Sequence, residues 1–350
     1  MNKNNFNVCE NPFNYIEVHA NGDFTLCCPH RINNYTIGNF YKNQNFSEIW
    51  LGDKAIKFRE SILDGSYKYC NLHLCDFRKN GKNTVKNHNF SSNCDFPLRV
   101  NFAYDKTCNV KCITCRDKQI ITEQENMIFI DSLIDTTFIP MLKNAKMVSL
   151  NGGGEVFASK HMQKLIKEII INYPNIKFNI QSNGIYFDKT HCDELGITKS
   201  IDSAYISIHA ATKKVYDKVV RGGDYKKVIN NIKWLSQLKN KKQIKFLQIN
   251  FVVTSINYKD MIKFQELANK LQCNAYYTTF VRFNSELEKS YEELSIVEQS
   301  HPKHKQFTKI LQNKIFDSPN CIMQNSLIEL RKKYKKKTLI QKIKNYYTKE

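Results

Sequence analysis

The stretch that decides the fold is Leu98-Arg99-Val100-Asn101-Phe102-Ala103-Tyr104, followed two residues later by Thr107-Cys108-Asn109-Val110-Lys111-Cys112-Ile113-Thr114-Cys115. The first run mixes apolar and polar residues in a way that predicts a β-strand. The second run spaces three cysteines as C-x3-C-x2-C. Three thiolates on one short loop would hold three irons of a [4Fe–4S] cluster and leave the fourth open, whereas structural zinc prefers four closed ligands. The loop after the strand is therefore predicted to hold an iron–sulfur cluster with an open iron.

Strand and helix patterns alternate along the chain downstream of this loop. Such alternation favours a parallel sheet with the helices as crossovers, and six units are too few for a complete eight-stranded barrel. The predicted strands are 98–104, 147–150, 178–181, 204–208, 246–253 and 275–281, and the predicted helices are 123–142, 160–172, 188–195, 225–238 and 259–271.

Three further motifs end predicted strands, in a fixed order. They are Ser149-Leu150-Asn151-Gly152-Gly153-Gly154-Glu155, Ile180-Gln181-Ser182-Asn183-Gly184 and Tyr205-Ile206-Ser207-Ile208-His209. With the cysteine spacing, this order resembles the radical S-adenosylmethionine (SAM) superfamily from about Leu98 to Phe283. The resemblance implies an α/β fold with a partial (β/α)6 TIM-type barrel. In such a fold the active-site loops lie at the carboxyl ends of the strands.

The resemblance also implies the cofactors and the reaction. Cys108, Cys112 and Cys115 would hold a [4Fe–4S] cluster that binds SAM. Reductive cleavage of SAM would give a 5′-deoxyadenosyl radical that abstracts hydrogen from a peptide, a protein or a small sugar or alcohol, and the cofactor carries this chemistry. A reductant such as flavodoxin or ferredoxin is implied as a partner. Thr114 stands where the superfamily often has an aromatic residue, and Ile113 or a distant aromatic residue would then take over its contact with adenine.

Two glycines and a glutamate are the first predicted SAM contacts. Gly153-Gly154-Glu155 resembles the superfamily motif whose backbone meets the methionine amino group, and glycine permits such a close backbone approach. Glu155 would accept a hydrogen bond from the ammonium group or orient the loop. Val156 stands where proline is frequent in the superfamily.

The remaining predicted SAM contacts follow later strands. Ser182 and Asn183 resemble a pair that contacts the ribose, and Ser207 would meet the ribose or the methionine. Arg221 resembles a residue that pairs its guanidinium with the methionine carboxylate, a geometry suited to a carboxylate. His209 stands where many relatives carry aspartate. The sequence is consistent with either a structural role or a contact with the substrate for this residue.

The amino-terminal region carries a second cysteine set. Cys9, Cys27, Cys70 and Cys75 resemble the ligands of SPASM or twitch modules, which bind auxiliary clusters and in most relatives follow the barrel rather than precede it. Four thiolates would close one auxiliary [4Fe–4S] site, and zinc is the rival metal. The alternative ligands are Cys28 and Cys94, whereas Cys192, Cys273 and Cys321 are expected to be packing residues.

Local patterns in this region predict a hairpin, a helix and a linker. The turn Asn21-Gly22-Asp23 would join strands 15–19 and 24–26. A helix is predicted over 46–63 with Ser47 as its N-cap, and a linker over 78–93. We expect residues 1–94 to form the auxiliary module with this linker, 95–285 the radical SAM core, and 286–350 a basic helical extension.

Composition constrains the class of protein without naming a partner. The 350 residues carry a net charge of +20 and twelve cysteines. No segment looks like a signal peptide or a membrane span, so a reducing, cytoplasmic location is expected, where cysteines serve as metal ligands or free thiols. The basic run from Arg331 to Lys337 is typical of a solvent-exposed helix end. The alternative interpretation is that it binds nucleic acid or an anionic membrane. The alternative functions are therefore an RNA-modifying radical SAM protein and a non-catalytic iron–sulfur or zinc protein.

Overall fold

The computed structural model describes residues 8–75, 84–85, 89–122, 124–151, 153–281 and 288–335. The chain forms two units that interleave along the sequence. Unit 1 comprises residues 1–107, 121–181 and 192–201, and unit 2 comprises residues 108–120, 182–191 and 202–350. The domain boundaries at 94/95 and 285/286 remain predictions.

The strands are β1 (Val8–Cys9), β2 (Tyr15–His19), β3 (Asp23–Thr25), β4 (Gly38–Asn39), β5 (Thr84–Val85), β6 (Arg99–Ala103), β7 (Lys111–Cys112), β8 (Met147–Leu150), β9 (Lys177–Ser182), β10 (Ile201–Ser207), β11 (Val220–Arg221), β12 (Phe246–Val253), β13 (Asn274–Thr279) and β14 (Cys321–Met323). The helices are α1 (Asn11–Asn14), α2 (Phe46–Trp50), α3 (Asp53–Leu63), α4 (Gln124–Leu133), α5 (Lys160–Asn172), α6 (Lys189–Glu194), α7 (Lys213–Val219), α8 (Tyr225–Asn240), α9 (Met261–Lys270), α10 (Glu288–Leu294) and α11 (His304–Leu311). Residues 325–335 are also helical.

Unit 1 contains a mixed sheet in the order β9-β8-β6-β2-β3-β4. The first four strands are parallel, whereas β2–β3 and β3–β4 are antiparallel. The β2–β3 hairpin confirms the predicted hairpin, and Gly22 in its turn has φ of +89°, a value that favours glycine. The parallel pairing of β2 with β6, which sets Ile16 opposite Val100, was not predicted. The cysteine-rich amino-terminal region therefore shares its sheet with the strand that precedes the C-x3-C-x2-C loop.

Unit 2 contains a parallel sheet in the order β14-β13-β12-β10. Its registers set Ala204 opposite Leu247, Ile249 opposite Ala275, and Ala275 opposite Cys321. Strand β14 lies in the region that the sequence predicts to be helical. Three residues carry little periodicity of their own, and this strand is held by its pairing with β13.

Among the helices, three differences from the predictions stand out, and the first is that the α-helix predicted over 123–142 ends at Leu133, where a π-helix over Ile134–Phe138 begins. The predicted helix over 46–63 is interrupted at Gly52, so α2 and α3 are separate helices, and the N-cap of α2 is Asn45, whose side chain accepts a hydrogen bond from Ser47 N. Helix α7 was not predicted. Part of the predicted linker over 78–93 lies outside the described residues, and its described part includes β5, which pairs with β1.

Apolar periodicity explains why the crossover helices lie on the sheet. In α5, Met162, Leu165, Ile166 and Ile169 are buried at helical spacing, and the helix begins at Ser159, whose hydroxyl accepts from Met162 N. All six predicted core strands are present, and the α/β class with a mostly parallel sheet is confirmed. In neither unit do the described strands close into a full barrel. No helix of the described residues is long and apolar enough to cross a bilayer.

Candidate functional site

The C-x3-C-x2-C loop of unit 2 is closed by hydrogen bonds of its own backbone. Cys108 N donates to Ile120 O at 2.8 Å, which joins the start and the end of the loop. Cys115 N and Arg116 N both donate to Cys112 O, at 3.0 and 3.1 Å. Cys108 is buried, whereas Cys112 and Cys115 are partly exposed. The spacing of the motif thus becomes one tight turn that carries two cysteines, with the third at the base of the loop.

The electrostatics of this loop suit a cation. Burial raises the pKa of the Cys112 thiol, and repulsion from Cys115 and Cys108 raises it further. The Arg116 guanidinium donates to Cys115 Sγ from both Nε and Nη2, each at 3.3 Å. Three neighbouring thiolates would repel one another unless positive charge lies close to them, and iron ions supply such charge.

Arg221 lies beside the cysteine loop. Strand β11 pairs antiparallel with β7, which sets Arg221 opposite Lys111 and Val220 opposite Cys112. Arg221 Nε donates to Lys111 O at 3.2 Å, and its Nη2 lies 3.6 Å from Asp117 Oδ1. The guanidinium is therefore exposed next to a predicted cluster ligand and already faces a carboxylate.

Asn183 also lies against the cysteine loop. Its Nδ2 donates to Oδ1 of Asn109, the residue after Cys108, at 2.8 Å, while its Oδ1 accepts from Ile185 N. Ser182 Oγ accepts from Gly184 N at 2.9 Å. The structure thus gives this pair a second task, which is to shape the turn after β9 and to hold the start of the loop.

Ser207 ends β10, and His209 lies two residues beyond it. Ser207 is partly exposed at the last position of the strand. His209 has φ of +57°, and its Nδ1 accepts a hydrogen bond from Val252 N at 3.2 Å. Because a backbone N–H can only donate, Nδ1 carries no proton and the neutral ring holds its proton on Nε2. Burial lowers the pKa of His209 to about 4, which keeps the ring neutral at physiological pH.

The Gly-Gly-Glu segment belongs to unit 1 and packs on the backbone that follows β6. A Cβ at Gly153 would lie 2.8 Å from Asp105 O, and one at Gly154 would overlap Thr107 O. Glu155 N donates to Thr107 O at 2.7 Å, and Glu155 Oε1 accepts from Phe157 N. Both glycines are thus required by the close approach of the backbone at Asp105 and Thr107, independently of any ligand. Glu155 orients the loop.

The four predicted auxiliary ligands line one cavity of unit 1. Cys9, Cys27, Cys70 and Cys75 share its wall with apolar residues of α3 and with Arg31. Neither alternative ligand lines this cavity, because Cys28 Sγ lies 3.3 Å from His30 Nε2 and Cys94 Sγ donates to Phe13 O.

The donor chemistry of both sets fits iron–sulfur clusters. Within the described ranges, no three His, Cys, Asp or Glu side chains form a group already able to hold a metal ion. The cysteines of each set share a loop or a cavity without forming such a group. Cluster binding would therefore complete the local structure, as metal binding often does.

Some neighbours of the site could not be found from the sequence. Ile113 of the cysteine loop packs on the buried pair Phe280 and Leu294, together with Val252 and Tyr291. These residues lie up to 181 positions from Ile113 along the chain and form no motif with it. Asn109 lies inside the motif, but its partner Asn183 is brought to it by the fold.

Two family models match the chain. The radical SAM superfamily model matches residues 106–268, and the SPASM iron–sulfur cluster-binding domain model matches residues 9–76. A curated relative from Methanocaldococcus jannaschii, described as a probable GTP 3′,8-cyclase, is 22% identical over 238 residues, which cover 65% of this chain and 69% of that protein.

Solved structures give weaker matches. Archaeal TYW1 is 19% identical, covering 53% of this chain and 72% of that chain with a TM-score of 0.31. Methylornithine synthase (PylB) is 11% identical, covering 67% and 68% with a TM-score of 0.39. The assignment to a family rests on the two family models.

The two family models define the class as a SAM-dependent iron–sulfur enzyme. The chain is a radical SAM protein with an amino-terminal SPASM-like module. Membership implies SAM and a [4Fe–4S] cluster, and the SPASM domain implies auxiliary iron–sulfur binding. Enzymes of this superfamily need a reductant and a substrate.

Proposed function

We propose that this protein is an oxidoreductase that cleaves SAM reductively and abstracts a hydrogen atom from an organic substrate. The observation that carries the proposal is the loop from Cys108 to Ile120, which holds three cysteines on a closed hairpin beside Arg221 and Asn183. When bound, the cluster and SAM together supply the 5′-deoxyadenosyl radical that attacks the substrate. The protein's own task is to hold both cofactors and to exclude side reactions.

Residue roles follow from chemistry and position. Cys108, Cys112 and Cys115 hold the cluster that binds SAM. The methionine end of SAM is held by the backbone of Gly153, Gly154 and Glu155 and by the Arg221 guanidinium. Ser182, Asn183 and Ser207 serve the ribose end.

The second set serves an auxiliary [4Fe–4S] cluster. Cys9, Cys27, Cys70 and Cys75 supply four thiolates, the complement that such a cluster commonly takes. Their shared cavity and the match to an iron–sulfur domain model support iron over zinc.

The substrate is a peptide, a protein or a small sugar or alcohol. The likeness to a probable GTP 3′,8-cyclase adds a purine nucleotide as a compound to test. RNA is disfavoured, because Arg331 at the start of the basic run is bonded internally, to Leu311 O, Asn313 O and Asp317. Flavodoxin or ferredoxin is the proposed reductant, and twelve cysteines without a disulfide in the described residues suit the reducing cytoplasm.

Production of 5′-deoxyadenosine tests the proposal. Anaerobically reconstituted full-length protein is reduced with dithionite in the presence of SAM, and the products are separated by chromatography. We expect 5′-deoxyadenosine and methionine even without substrate, and faster formation when the correct substrate class is added.

The control is the triple variant Cys108→Ala, Cys112→Ala and Cys115→Ala. If the wild-type protein, with its cluster confirmed by spectroscopy, forms no more 5′-deoxyadenosine than this variant, the enzyme proposal is wrong and the non-catalytic alternative stands.

A further inference from the structure

Asp105 is a buried carboxylate that no sequence motif singled out. It lies two residues beyond the end of β6 and is 3% exposed. Its Oδ1 lies 2.9 Å from Thr107 N, 2.8 Å from Thr107 Oγ1 and 2.7 Å from Thr122 Oγ1. Its Oδ2 accepts from Ser159 Oγ. A buried carboxylate is costly unless donors surround it, and this one is surrounded on both oxygens.

The two threonines form a closed network with the carboxylate. Their hydroxyl oxygens lie 2.7 Å apart, and Thr122 N donates to Thr107 Oγ1 at 3.2 Å. Each hydroxyl has one proton to donate. Each threonine therefore donates either to the carboxylate itself or to the other threonine, which then donates to the carboxylate. In both arrangements Asp105 is the final acceptor.

Thr107 and Thr122 flank the cysteine loop. Cys108 follows Thr107 directly, and Thr122 comes two residues after Ile120, the partner of Cys108 at the base of the loop. The carboxylate therefore ties together the two stems on which the three cluster ligands are mounted.

The same carboxylate binds Ser159, which lies four residues after Glu155 of the Gly-Gly-Glu segment. Ser159 caps α5, because its Oγ accepts from Met162 N at 3.1 Å. Glu155 N donates to the carbonyl of Thr107, and Gly154 packs against that carbonyl. The position of Thr107 thus sets the segment that precedes Ser159 as well as the start of the cysteine loop.

We propose that Asp105 is a positioning residue that clamps the stems of the cysteine loop and fixes them to the Gly-Gly-Glu segment. The inference rests on the proposed function, since it assigns Asp105 to the retention of the SAM-binding cluster and to SAM affinity. Asp105 contacts neither cofactor in this assignment and acts through Thr107, Thr122 and Ser159.

The test uses reconstituted full-length protein and two pairs of variants. Asp105→Asn removes the charge, and Asp260→Asn is its matched control. Asp260 is similarly buried and accepts two backbone N–H bonds, from Ala211 and Thr212, and a hydroxyl contact from Thr212, but it holds the loop after β10 instead. Thr122→Val removes one hydroxyl from the clamp, and Thr122→Ser restores it.

Three quantities are measured: iron loss to a chelator, the dissociation constant of SAM, and the electron paramagnetic resonance signal of the reduced cluster with and without SAM. Hydrogen bonds to charged groups are strong enough that Asp105→Asn and Thr122→Val should each lose the loop cluster about tenfold faster and bind SAM about tenfold more weakly. The auxiliary half of the iron should stay. Thr122→Ser should behave as the wild type, and Asp260→Asn should lower the unfolding temperature while keeping cluster retention.

The outcomes separate the two proposals. If folded Asp105→Asn and Thr122→Val proteins keep wild-type cluster lifetime and SAM affinity, the clamp is wrong although the enzyme proposal stands. If Asp105→Asn fails to fold, the Thr122 pair decides, and equal behaviour of valine and serine overturns the clamp. A wild-type protein whose triple-cysteine variant retains all its iron refutes the proposed function, and the clamp with it.

Discussion

The two cysteine sets reach their positions in different ways. Cys108, Cys112 and Cys115 lie within eight residues, and hydrogen bonds inside their own loop shape the turn. Cys9, Cys27, Cys70 and Cys75 come from segments spread between residues 9 and 75, and they meet only around a cavity walled by Phe58 and Ile62 of α3. The first set is a local structure, whereas the second depends on a packed core.

This contrast indicates where each cluster would be vulnerable. The turn from Cys112 to Cys115 should keep its two ligands close when the core around α3 is loosened, since the bonds that shape it, such as that from Cys115 N to Cys112 O, span few residues. A cavity whose ligands come from three separate segments loses its geometry when the core behind it moves, because protein interiors are close-packed and transmit such changes.

The largest expected effect comes from removing each set in turn. The wild-type protein should bind about eight irons, from two four-iron clusters. Alanine at Cys108, Cys112 and Cys115 should halve the iron and abolish SAM cleavage. Alanine at Cys9, Cys27, Cys70 and Cys75 should also halve the iron, but SAM cleavage in the absence of substrate should continue. Iron analysis and product chromatography measure both.

Serine at Cys28 and at Cys94 is the matched control, because neither residue lines the cavity. Both variants should keep the full iron content. If either loses half of its iron, the ligand set of the auxiliary site has to be redrawn.

The next largest effect is expected from a substitution in the apolar core behind the auxiliary cavity, which should affect one cysteine set and not the other. Ile62→Ala opens a cavity behind the auxiliary ligands, and such truncations of buried residues cost about 2–5 kcal/mol. We expect auxiliary iron to be lost while the loop cluster and SAM cleavage remain. Ile232→Ala, an equally buried truncation in α8, should cost similar stability and keep all the iron. Equal iron contents in the two variants would mean that the auxiliary site does not depend on its local core.

The pH dependence of stability offers a smaller effect that is confined to unit 2. The pKa of His209 falls from 6.5 to about 4 in the folded protein because the ring is buried. The depressed pKa means that its contribution to stability is complete above pH 6.5 and is lost as the pH falls through about 4. The loss amounts to about 3 kcal/mol, the free energy that corresponds to this shift.

His209→Asn should remove that pH dependence. Asparagine offers an oxygen near the position of Nδ1 and tolerates the positive φ of this residue. Urea unfolding between pH 4 and pH 7 measures the difference. Parallel curves for the wild type and the variant would show that the ring does not titrate in this window.

The smallest effect is expected at the carboxyl end. Removal of residues 336–350, which lie outside the described residues, should leave SAM cleavage and iron content unchanged. Truncation after Leu330 should instead destabilise unit 2, because it deletes Arg331 and its bonds to Leu311 O and Asp317. Salt-dependent loss of RNA or vesicle binding on the shorter deletion would assign the tail an anionic partner.

Local pattern was enough to find most of the elements. Strands β8 and β12 and helix α5 have the predicted bounds, because each has a clear apolar period or a clear capping residue. Strand β14 was missed because a three-residue strand has no period to detect. The parallel pairing of β2 with β6 was missed because nothing in either strand encodes its partner.

The amino-acid sequence alone was sufficient for the cysteine loop, the order of the strand-end motifs and the radical SAM family. These features depend on spacing over a few residues, which the backbone converts directly into a turn or a strand end. The three-dimensional fold was needed to show which cysteines share the auxiliary cavity and which groups Asp105 and His209 hold. Many of those partners are tens of residues apart in sequence, and the packing of the two cores, rather than any local preference, brings them within hydrogen-bonding distance.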